Sequence, residues 1–534
     1  MKRSVALCLI TAAIWTSLAT DLNAAKILLV PMNCNSHLIY FARLGIDLAK
    51  LGHVVTLLAP SGARVPNFVS DNTANFAYIK YPVDRVTPFY NSPEMSQKLI
   101  AMAMNKWSLL YMSLLREFHL HGLRDGEQEC TRLLDNVELM RQVRESNFDF
   151  AIMDPASAIS CYYTIPLSLG IPYASLSVPL FTPLLFRVPR HSAFPHPLMP
   201  FERPTFSQRL QAFILERSDF GLSDGETHFM QKYAPNRPYL NAVEMVQNQS
   251  LWFFLEDLSI NFPMPQMPNT VAVGDIMAET EERPLSGEIK EFVSRSKRGV
   301  ILVVFGSFCD FFPPTITEPL CEALTESTQR FGLSVIWKLN DKSFCRNDNV
   351  FISPWIPQND LLADPRVQIF ISHGGYNSIV ESVYHAKPLI IMPLGLDQPA
   401  NAAFAESKGY AIRMNIVDFS PQSLVSNVDK LLTDPTYKRA AQLASAILRD
   451  RRDTPAQRVS AMIDHVIKYG DRHLRSGALE LSTLQFMMFD IFAALVAVAA
   501  VVLSCVSVCC YCVYLSCCRR CCHGETYREK SKSQ

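Results

Sequence analysis

Lys26-Ile-Leu-Leu-Val30 begins the segment that most clearly indicates the fold class. This continuous apolar run is followed by the polar residues 33–37 and by a segment, Leu38 to Ala49, whose apolar side chains recur at helical spacing. His53-Val-Val-Thr-Leu-Leu58 is a second apolar run. A strand, a helix and a strand in this order predict a βαβ unit, because the strands of a parallel sheet are buried on both faces and need apolar side chains throughout.

The same alternation of strands and helices continues along the chain. Residues 60–145 are irregular in pattern, and further strands are predicted at residues 148–153 and 173–177. After a proline-rich linker at residues 261–269, strands are predicted at residues 299–305, 333–338, 350–353, 368–372 and 388–392. The helices predicted between them cover residues 318–330, 376–385 and 400–408.

The length of the chain indicates two domains. A chain of 534 residues is too long for one hydrophobic core, which stops growing at roughly 250–300 residues. We therefore predict an α/β fold with two Rossmann-like, doubly wound domains, residues 26–260 and 261–475, that face a shared cleft. Open α/β sheets bind ligands outside the carboxyl ends of their strands, so we expect the chemistry in this cleft.

The two ends of the chain are typical of a membrane protein that enters the secretory pathway. A basic start, an apolar run and small residues predict that residues 1–25 are a signal peptide, and an uncleaved anchor is the alternative. Residues 486–515 are almost wholly apolar and predict a transmembrane helix. The basic tail, residues 516–534, is expected in the cytosol. The predicted topology is thus single-pass type I, with the catalytic part on the lumenal side.

The last five residues, 530–534, refine the predicted location. Lysines stand at the third and fifth positions from the end, Lys532 and Lys530, which resembles the dilysine retrieval signal of endoplasmic-reticulum membrane proteins. The alternative is a basic tail that only follows the positive-inside rule. We therefore expect the protein in the endoplasmic reticulum membrane.

One segment of the second domain has the residues that a nucleotide-sugar site needs. His373-Gly-Gly375 closes a predicted strand and opens a helix, so backbone N–H groups and the positive helix end can receive phosphate oxygens. Asn377 and Ser378 can add donors, and Glu381 lies one turn further, where it can accept hydrogen bonds from ribose hydroxyls. A Gly-Gly turn alone is more often plain structure.

Two flanking motifs complete this candidate site. Trp355 offers a flat face on which a base can stack, although a lone tryptophan is more often part of a core. Asp397 and Gln398 follow the next predicted strand and can bind sugar hydroxyls at the same edge of the sheet. The ordered combination of these motifs within about fifty residues predicts a nucleotide-sugar site.

His37 and Asp154 are the candidate catalytic pair. His37 lies at the turn after the first strand, and imidazole is well suited to accept a hydroxyl proton near neutral pH. Asp154 ends a neighbouring predicted strand and could hold one ring N–H of the imidazole. The alternative is structural, with His37 capping the helix and Asp154 starting a turn before Pro155.

Taken in order, these motifs resemble the signature of the UDP-glycosyltransferase family, the membrane-anchored glucuronosyltransferases and their glucosyl relatives. The resemblance covers nearly the whole chain and includes Phe305-Gly-Ser307, Asn261-Phe-Pro263 and His473-Leu-Arg475. It implies a GT-B fold in which the C-terminal domain binds the UDP-sugar and the N-terminal domain binds the acceptor. It also implies that Ser307 and Gln358 contact the UDP-sugar, and that His37 and Asp154 are catalytic.

The resemblance further implies inverting transfer with no metal and no cofactor besides the UDP-sugar. The sequence agrees in lacking the Asp-x-Asp pair that metal-dependent glycosyltransferases use to hold a divalent ion. One position departs from the pattern: Leu255 stands where the resembled glucuronosyltransferases carry an arginine for the glucuronate carboxylate. This departure favours a neutral donor such as UDP-glucose over UDP-glucuronate.

The predicted function is transfer of glucuronate or glucose from a UDP-sugar to a hydroxyl of a small lipophilic acceptor. One alternative is a non-catalytic homologue that binds UDP-sugar or lipid, or acts as a regulatory subunit. Another is a transferase that modifies glycoproteins. The expected partners are the UDP-sugar, the acceptor, whose pocket should come from residues 60–240, and the membrane, with a homo-oligomer as an option. The balance of 50 basic and 50 acidic residues argues against nucleic acid.

Covalent modification is predicted at two kinds of residue. Asn248-Gln-Ser250 is the only N-glycosylation sequon in the sequence, so Asn248 is a candidate glycosylation site. The cysteines in and after the apolar segment are candidates for S-acylation. The remaining lumenal cysteines have irregular spacing and do not suggest a disulfide scaffold. They are Cys34, Cys130, Cys161, Cys309, Cys321 and Cys345.

Overall fold

The chain forms two compact units in a computed structural model, residues Met1–Arg475 and Ser476–Gln534. The described residues are 24–33, 35–61, 75–82, 97, 98, 100, 101, 127–155, 160–178, 205–207, 228–257, 259–262, 266–277, 283–306, 312–341, 344–395 and 397–530. The predicted signal peptide therefore lies almost wholly outside the described residues, as do the last four residues of the tail.

The first sheet has seven strands in the order β3-β2-β1-β4-β5-β6-β7, and all neighbours are parallel. Its strands are β1 (Lys26–Val30), β2 (Val54–Pro60), β3 (Phe76–Tyr81), β4 (Phe150–Met153), β5 (Tyr173–Ser177), β6 (Leu251–Phe254) and β7 (Thr270–Ala272). The two central strands β1 and β4 are buried along nearly their whole length, as their continuous apolar sequences predict.

Helices connect these strands, and local sequence explains where several of them begin and end. They are α1 (Asn35–Lys50), α2 (Val137–Glu145), α3 (Thr164–Leu169), α4 (His228–Tyr233) and α5 (Ala242–Gln247), with a 3₁₀ turn at Ser160–Tyr163 and a helical segment at residues 127–134. Asn136 begins α2 by accepting the N–H of Leu139 at 3.0 Å, and Gly170 ends α3 with φ of 72°. The strand β3 and the helix α2 correct the prediction that residues 60–145 are irregular.

The second sheet has six parallel strands in the order β10-β9-β8-β11-β12-β13. Counted within this domain the order is 3-2-1-4-5-6, that of a Rossmann fold. Its strands are β8 (Val300–Val304), β9 (Ser334–Lys338), β10 (Val350–Ser353), β11 (Val367–Ser372), β12 (Leu389–Ile391) and β13 (Ala411–Arg413). The five strands predicted from the sequence are all present, and β13 is added at the edge.

The helices that follow β7 connect the strands of the second sheet, and the chain then returns to the first domain. They are α6 (Gly287–Arg295), α7 (Pro314–Phe331), α8 (Gln358–Ala363), α9 (Tyr376–Tyr384), α10 (Gln398–Ser407), α11 (Pro421–Thr433), α12 (Pro435–Arg449) and α13 (Pro455–Tyr469), followed by a 3₁₀ turn at Arg472–Leu474. The last of these, α13, packs against α1. The proline-rich residues 261–269 connect β6 to β7 of the first sheet, so the chain passes to the second sheet only after β7.

The two domains share one hydrophobic core. A single cluster of buried side chains includes Ile27 and Phe41 of the first domain and Phe370 of the second. Polar contacts between the domains are buried as well. His53 Nε2 lies 2.7 Å from the hydroxyl of Ser460 on α13. Both Rossmann-like domains are therefore packed together at the ends of their sheets rather than joined only by a flexible linker.

The second unit consists of short turns and one long helix. It contains a 3₁₀ turn at Gly477–Glu480, α14 (Thr483–Phe486) and α15 (Phe489–Lys530). The stretch Phe489–Arg519 of α15 is 31 residues long and contains an 18-residue window with a mean hydropathy of 2.8, enough to cross a membrane by length and composition. Both ends of this helix differ from the predicted range 486–515. The helix starts three residues later, because Met488 has a φ of 55° and interrupts it, and it continues into the predicted tail.

A disulfide forms between two of the lumenal cysteines, although their spacing suggests no disulfide scaffold. Cys321 on α7 is bonded to Cys345, in the segment between β9 and β10, with Cα atoms 5.6 Å apart. The pairing spans 24 residues, a spacing that has no characteristic motif in the sequence. Disulfides persist in oxidising compartments, which agrees with the expected lumenal location.

We expect replacement of both Cys321 and Cys345 by serine to lower the free energy of unfolding by about 3 kcal/mol, the chain-entropy value for a loop of this size. Thermal unfolding of the purified full chain in detergent measures this change. Cys505→Ser is the matched control, since Cys505 is a free cysteine on α15. An unchanged midpoint for the double variant would show that this link adds nothing to stability.

Candidate functional site

The predicted catalytic pair lies at the carboxyl edge of the first sheet. His37 is in the first turn of α1, which follows β1, and Asp154 is the residue after β4. The Nδ1 atom of His37 lies 2.6 Å from Oδ2 of Asp154. The side chain of His37 is 20% exposed and that of Asp154 only 1%. Because Nδ1 is engaged by Asp154, the ring presents Nε2 to a ligand, and this is the geometry that a general base requires.

Asp154 is held in place by more than the imidazole. The backbone N–H of Met32, in the loop after β1, donates to the same Oδ2 atom at 3.1 Å. A buried carboxylate needs such donors because an uncompensated charge would be costly. The structural alternative, in which His37 and Asp154 have no relation to each other, does not describe this geometry. Their catalytic role stays a prediction.

Tyr40 is a member of this group that the sequence did not reveal. Its hydroxyl donates to Asp154 Oδ2 at 3.1 Å and lies 2.8 Å from His37 Nδ1. Tyr40 stands three residues after His37, on the same face of α1. That spacing is a signal in retrospect, but an apolar helix face gives an aromatic residue an ordinary packing role, so nothing in the sequence singled it out.

The predicted phosphate cradle lies at the carboxyl edge of the second sheet. The strand β11 ends at Ser372, and Gly375 is the residue before α9. Gly374 has a φ of 84°, and a Cβ atom there would lie 2.6 Å from Ile391. A Cβ atom on Gly375 would lie equally close to the ring of His373, at 2.6 Å. Both glycines are therefore required by the turn, and no side chain among the described residues caps the start of α9.

The structure modifies the role expected of His373. Burial and the nearby ammonium group of Lys338 lower the pKa of His373 to about 4, so the ring is neutral at pH 7. It can donate a hydrogen bond to a phosphate but supplies no charge. Lys338, the last residue of β9, donates its Nζ to the carbonyl of Gly306 at 2.9 Å and brings a positive charge to this edge. Sequence analysis missed Lys338, since a lysine at a strand end is too common to signal a site.

Gln358, Ser378 and Glu381 form one hydrogen-bonded group. Gln358 Nε2 donates to Glu381 Oε2 at 2.6 Å and approaches Ser378 Oγ at 3.4 Å. Burial raises the pKa of Glu381 to about 7, and the hydrogen bond from Gln358 opposes this shift. The carboxyl group is therefore close to half ionised at neutral pH. The structure brings together three of the residues predicted to bind the UDP-sugar.

Trp355 and Asn377 lie at the surface beside this group. Trp355 is 70% exposed, which is incompatible with the alternative of a core tryptophan. Its backbone carbonyl accepts the hydroxyl of Ser353 at 2.7 Å, which fixes the chain between β10 and α8. Asn377 is half-buried in the first turn of α9. An exposed flat ring next to the cradle is available for stacking.

Asp397 links the two domains electrostatically. It accepts the side-chain amide of Asn401 at 2.7 Å, just before α10. Burial raises the pKa of Asp397 to about 6, while the hydrogen bond from Asn401 and the nearby imidazole of His37 lower it. His37 of the first domain and Asp397 of the second are thus close enough to interact. The cleft predicted between the domains therefore contains both halves of the candidate site.

The remaining predicted residues have other positions. Gln398 is buried, and its side-chain oxygen accepts the backbone N–H groups of Leu394 at 2.9 Å and Gly395 at 3.3 Å. This oxygen therefore shapes the loop after β12, and the predicted contact of Gln398 with the sugar stays a prediction. Ser307 lies outside the described residues. Asn248, the sequon residue, is exposed at the end of α5, where its backbone carbonyl accepts Arg475 Nη1 at 3.1 Å.

Comparison with known proteins gives a consistent picture. The family model described as UDP-glucoronosyl and UDP-glucosyl transferase matches residues 25–524. UDP-glucuronosyltransferase 2A3 of Cavia porcellus is 28% identical over 504 residues, covering 91% of this chain and 92% of that protein. The 2-hydroxyacylsphingosine 1-beta-galactosyltransferase of Mus musculus is 28% identical over 480 residues, covering 88% and 85%.

Solved structures support the fold. The glycotransferase of kitacinnamycin has a TM-score of 0.56 at 17% identity, covering 83% of this chain and 99% of that chain. The calicheamicin glycosyltransferase CalG4 has a TM-score of 0.54 at 16% identity, covering 83% and 98%. The predicted GT-B fold, with two Rossmann-like domains, is confirmed.

We expect the affinity for UDP to increase by up to about tenfold between about pH 6 and pH 8, because a carboxyl group with a pKa of about 7 goes from about one tenth to about nine tenths ionised and the ionised form is the better acceptor for ribose hydroxyls. Isothermal titration calorimetry across this range measures the change. Glu381→Gln is the reference, since phosphate also ionises near pH 6 and contributes to both proteins. Equal pH dependence in the two proteins would remove Glu381 from the nucleotide site.

Proposed function

The chain belongs to the family of UDP-glucuronosyl and UDP-glucosyl transferases, and from this premise we propose that it transfers a neutral hexose from a UDP-sugar to a hydroxyl of a small lipophilic acceptor. The observation that carries the proposal is the contact of 2.6 Å between His37 and Asp154, across the cleft from the phosphate cradle. A protein that only binds a nucleotide sugar needs no base at this place.

In the proposed reaction, the acceptor oxygen attacks the anomeric carbon while His37 Nε2 takes the hydroxyl proton. The bond between the anomeric carbon and the diphosphate oxygen breaks, and its electron pair leaves with UDP. Attack from the face opposite the leaving group inverts the configuration. Asp154, held by His37 Nδ1 and by the N–H of Met32, fixes the ring orientation and stabilises the imidazolium that forms.

The departing diphosphate gains negative charge, which the second domain is arranged to receive. The N-terminal end of α9 presents backbone N–H groups and a positive dipole. His373 contributes a neutral N–H donor, and Lys338 contributes the positive charge. We include in the proposal that the reaction needs no metal and no cofactor other than the UDP-sugar.

The preference for a neutral donor rests on Leu255. This side chain is buried in the core that the two domains share, and it offers no partner for a carboxylate. The relatives of similar identity include both a glucuronosyltransferase and a galactosyltransferase, so the family alone leaves the sugar undecided. Glucose and galactose are the donors that this reasoning favours over glucuronate.

The acceptor and the location are also proposed. A helix able to span a membrane and a disulfide in the catalytic unit support a lumenal enzyme anchored in the endoplasmic reticulum membrane, with residues 1–25 removed as a signal peptide and Asn248 glycosylated. Lipophilic acceptors partition into that membrane. Association into a homo-oligomer remains an option with no observation in its favour.

We expect His37→Ala to lower turnover by at least about a thousandfold while UDP affinity stays within about twofold, because only the base is removed. Microsomes containing the full chain are incubated with UDP-glucose, UDP-galactose or UDP-glucuronate and a panel of phenols, steroids and long-chain amino alcohols. Mass spectrometry identifies the product.

Transfer from the two neutral donors and weak or no transfer from UDP-glucuronate is the expected pattern. A preference for UDP-glucuronate would refute the argument from Leu255. Activity on protein substrates alone would favour a glycoprotein-modifying transferase, and unchanged turnover of His37→Ala would remove the pair from the mechanism.

Tyr40→Phe should lower kcat by about tenfold with little change in the KM for the donor, since a hydrogen bond to a charged group is worth roughly 1.5 kcal/mol or more and Asp154 would lose one. Steady-state kinetics with the preferred donor measure this. Tyr410→Phe is the control, because its hydroxyl donates to the backbone of Ser259, away from the pair. A kcat equal to that of the parent protein would mean that the Tyr40 hydroxyl is only packed there.

A further inference from the structure

We propose that Glu129 is a positioning residue: its buried carboxylate joins three segments at the carboxyl edge of the first sheet and thereby fixes His37 relative to Asp154. This inference rests on the proposed function, because the position of His37 matters only if the ring acts on an acceptor. Glu129 belongs to the helical segment 127–134 and has no part in the motifs discussed above.

The carboxylate of Glu129 accepts three side-chain hydrogen bonds from three different segments. The hydroxyl of Tyr81, the last residue of β3, donates to Oε1. The hydroxyl of Tyr162, in the 3₁₀ turn after β4, donates to the same atom at 2.9 Å. The side-chain amide of Asn33, in the loop between β1 and α1, donates to Oε2 at 3.1 Å. All four residues in this contact set are buried, so solvent does not screen the interaction.

The loop between β1 and α1 is consequently held from two sides. Its Met32 donates a backbone N–H to Asp154 at 3.1 Å, and the next residue, Asn33, donates to Glu129. His37 lies four residues after Asn33 and contacts Asp154 in turn. Without the contact between Asn33 and Glu129, the loop would lose one of the contacts that fix it before the helix that carries His37, and the ring could shift with it. Misplacement of a reacting group by about 1 Å can cost about a hundredfold in rate.

The chemistry of the site fits an anchoring role. An ionised carboxylate is an acceptor only, and Tyr81, Tyr162 and Asn33 each present a donor to it. Burial raises the pKa of Glu129, while hydrogen bonds from these three side chains and the charge of Arg132 oppose the shift.

Ordinary core packing would not require this arrangement. Glu129 is followed in the same helical segment by Cys130, Leu133 and Leu134, which belong to a buried apolar cluster. An apolar side chain at position 129 would be buried there without the cost of burying a carboxylate. Breaking a buried charged network by removing one partner leaves the others unsatisfied, whereas replacing the whole set by apolar side chains can be neutral. The presence of the carboxylate with three matched donors points to a need for fixed geometry.

The test uses the full chain in detergent and compares Asn33→Ala, Glu129→Met, Glu129→Gln and the control Tyr163→Phe. We expect the first two to lower kcat by about tenfold or more while UDP affinity stays within about twofold. Glu129→Gln should recover kcat to within about threefold of the parent, because the glutamine oxygen can accept both tyrosine hydroxyls and its NH2 can donate to the side-chain oxygen of Asn33 once that amide is turned over. Tyr163 is the residue after Tyr162 and is equally buried, but its hydroxyl shares a hydrogen bond with the hydroxyl of Ser175. Loss of the Tyr163 hydroxyl should therefore leave kcat unchanged.

A second measurement does not depend on transfer activity. Diethyl pyrocarbonate modifies histidine rings, and mass spectrometry gives the rate at His37. We expect this rate to rise severalfold in Asn33→Ala and to stay constant in Tyr163→Phe. An inactive parent protein would refute the proposed function, whereas the modification rate would still decide the role of Glu129.

The inference fails if folded Asn33→Ala keeps both the kcat and the His37 modification rate of the parent. It also fails if kcat, UDP affinity and thermal midpoint fall together, because that pattern describes a general loss of structure. Should Glu129→Met not fold, Asn33→Ala decides alone, since it leaves the carboxylate with both tyrosines.

Discussion

The hydrogen bonds onto the buried carboxylate of Asp154 are the interaction on which the rest of the candidate site depends. The strands β1 and β4 are neighbours with Val30 opposite Met153, so the residues that follow them emerge side by side. That strand pairing brings the N–H of Met32 and the ring of His37 to one oxygen of Asp154. The geometry of the pair is therefore a consequence of sheet topology, and any change that shifts β1 relative to β4 also shifts His37 relative to Asp154.

The position of the second domain is fixed by packing rather than by a linker alone. One apolar cluster runs through both domains, and α13 returns from the end of the second domain to pack on α1. A partly buried ion pair adds to this, with Arg451 Nη2 2.9 Å from Asp257 Oδ2. Since α1 carries His37, the helix α13 that holds the domains together also packs on the helix that positions His37.

The sequence predicted the central strands, the turn at His373 and the pairing of His37 with Asp154, because these depend on continuous apolar runs and on strand ends. It did not predict β7 and β13, which have three residues each and no periodicity to detect. Tyr40 and Lys338 were missed since only the folded chain brings them to the site. Glu129 was missed for the same reason: its three partners are 96, 48 and 33 residues away in the chain.

The candidate site residues of the second domain differ in their ionisation states at neutral pH. His373 is neutral at pH 7, so Lys338 and the start of α9 supply the positive potential for a diphosphate. Asp397, with a pKa of about 6, is mostly ionised at neutral pH and lies near His37. In the proposed reaction His37 gains a proton, and Asp397 lies close enough to interact with the positive charge that forms. A residue that we predict to bind the sugar on one domain is therefore also near the group that we propose takes the proton on the other.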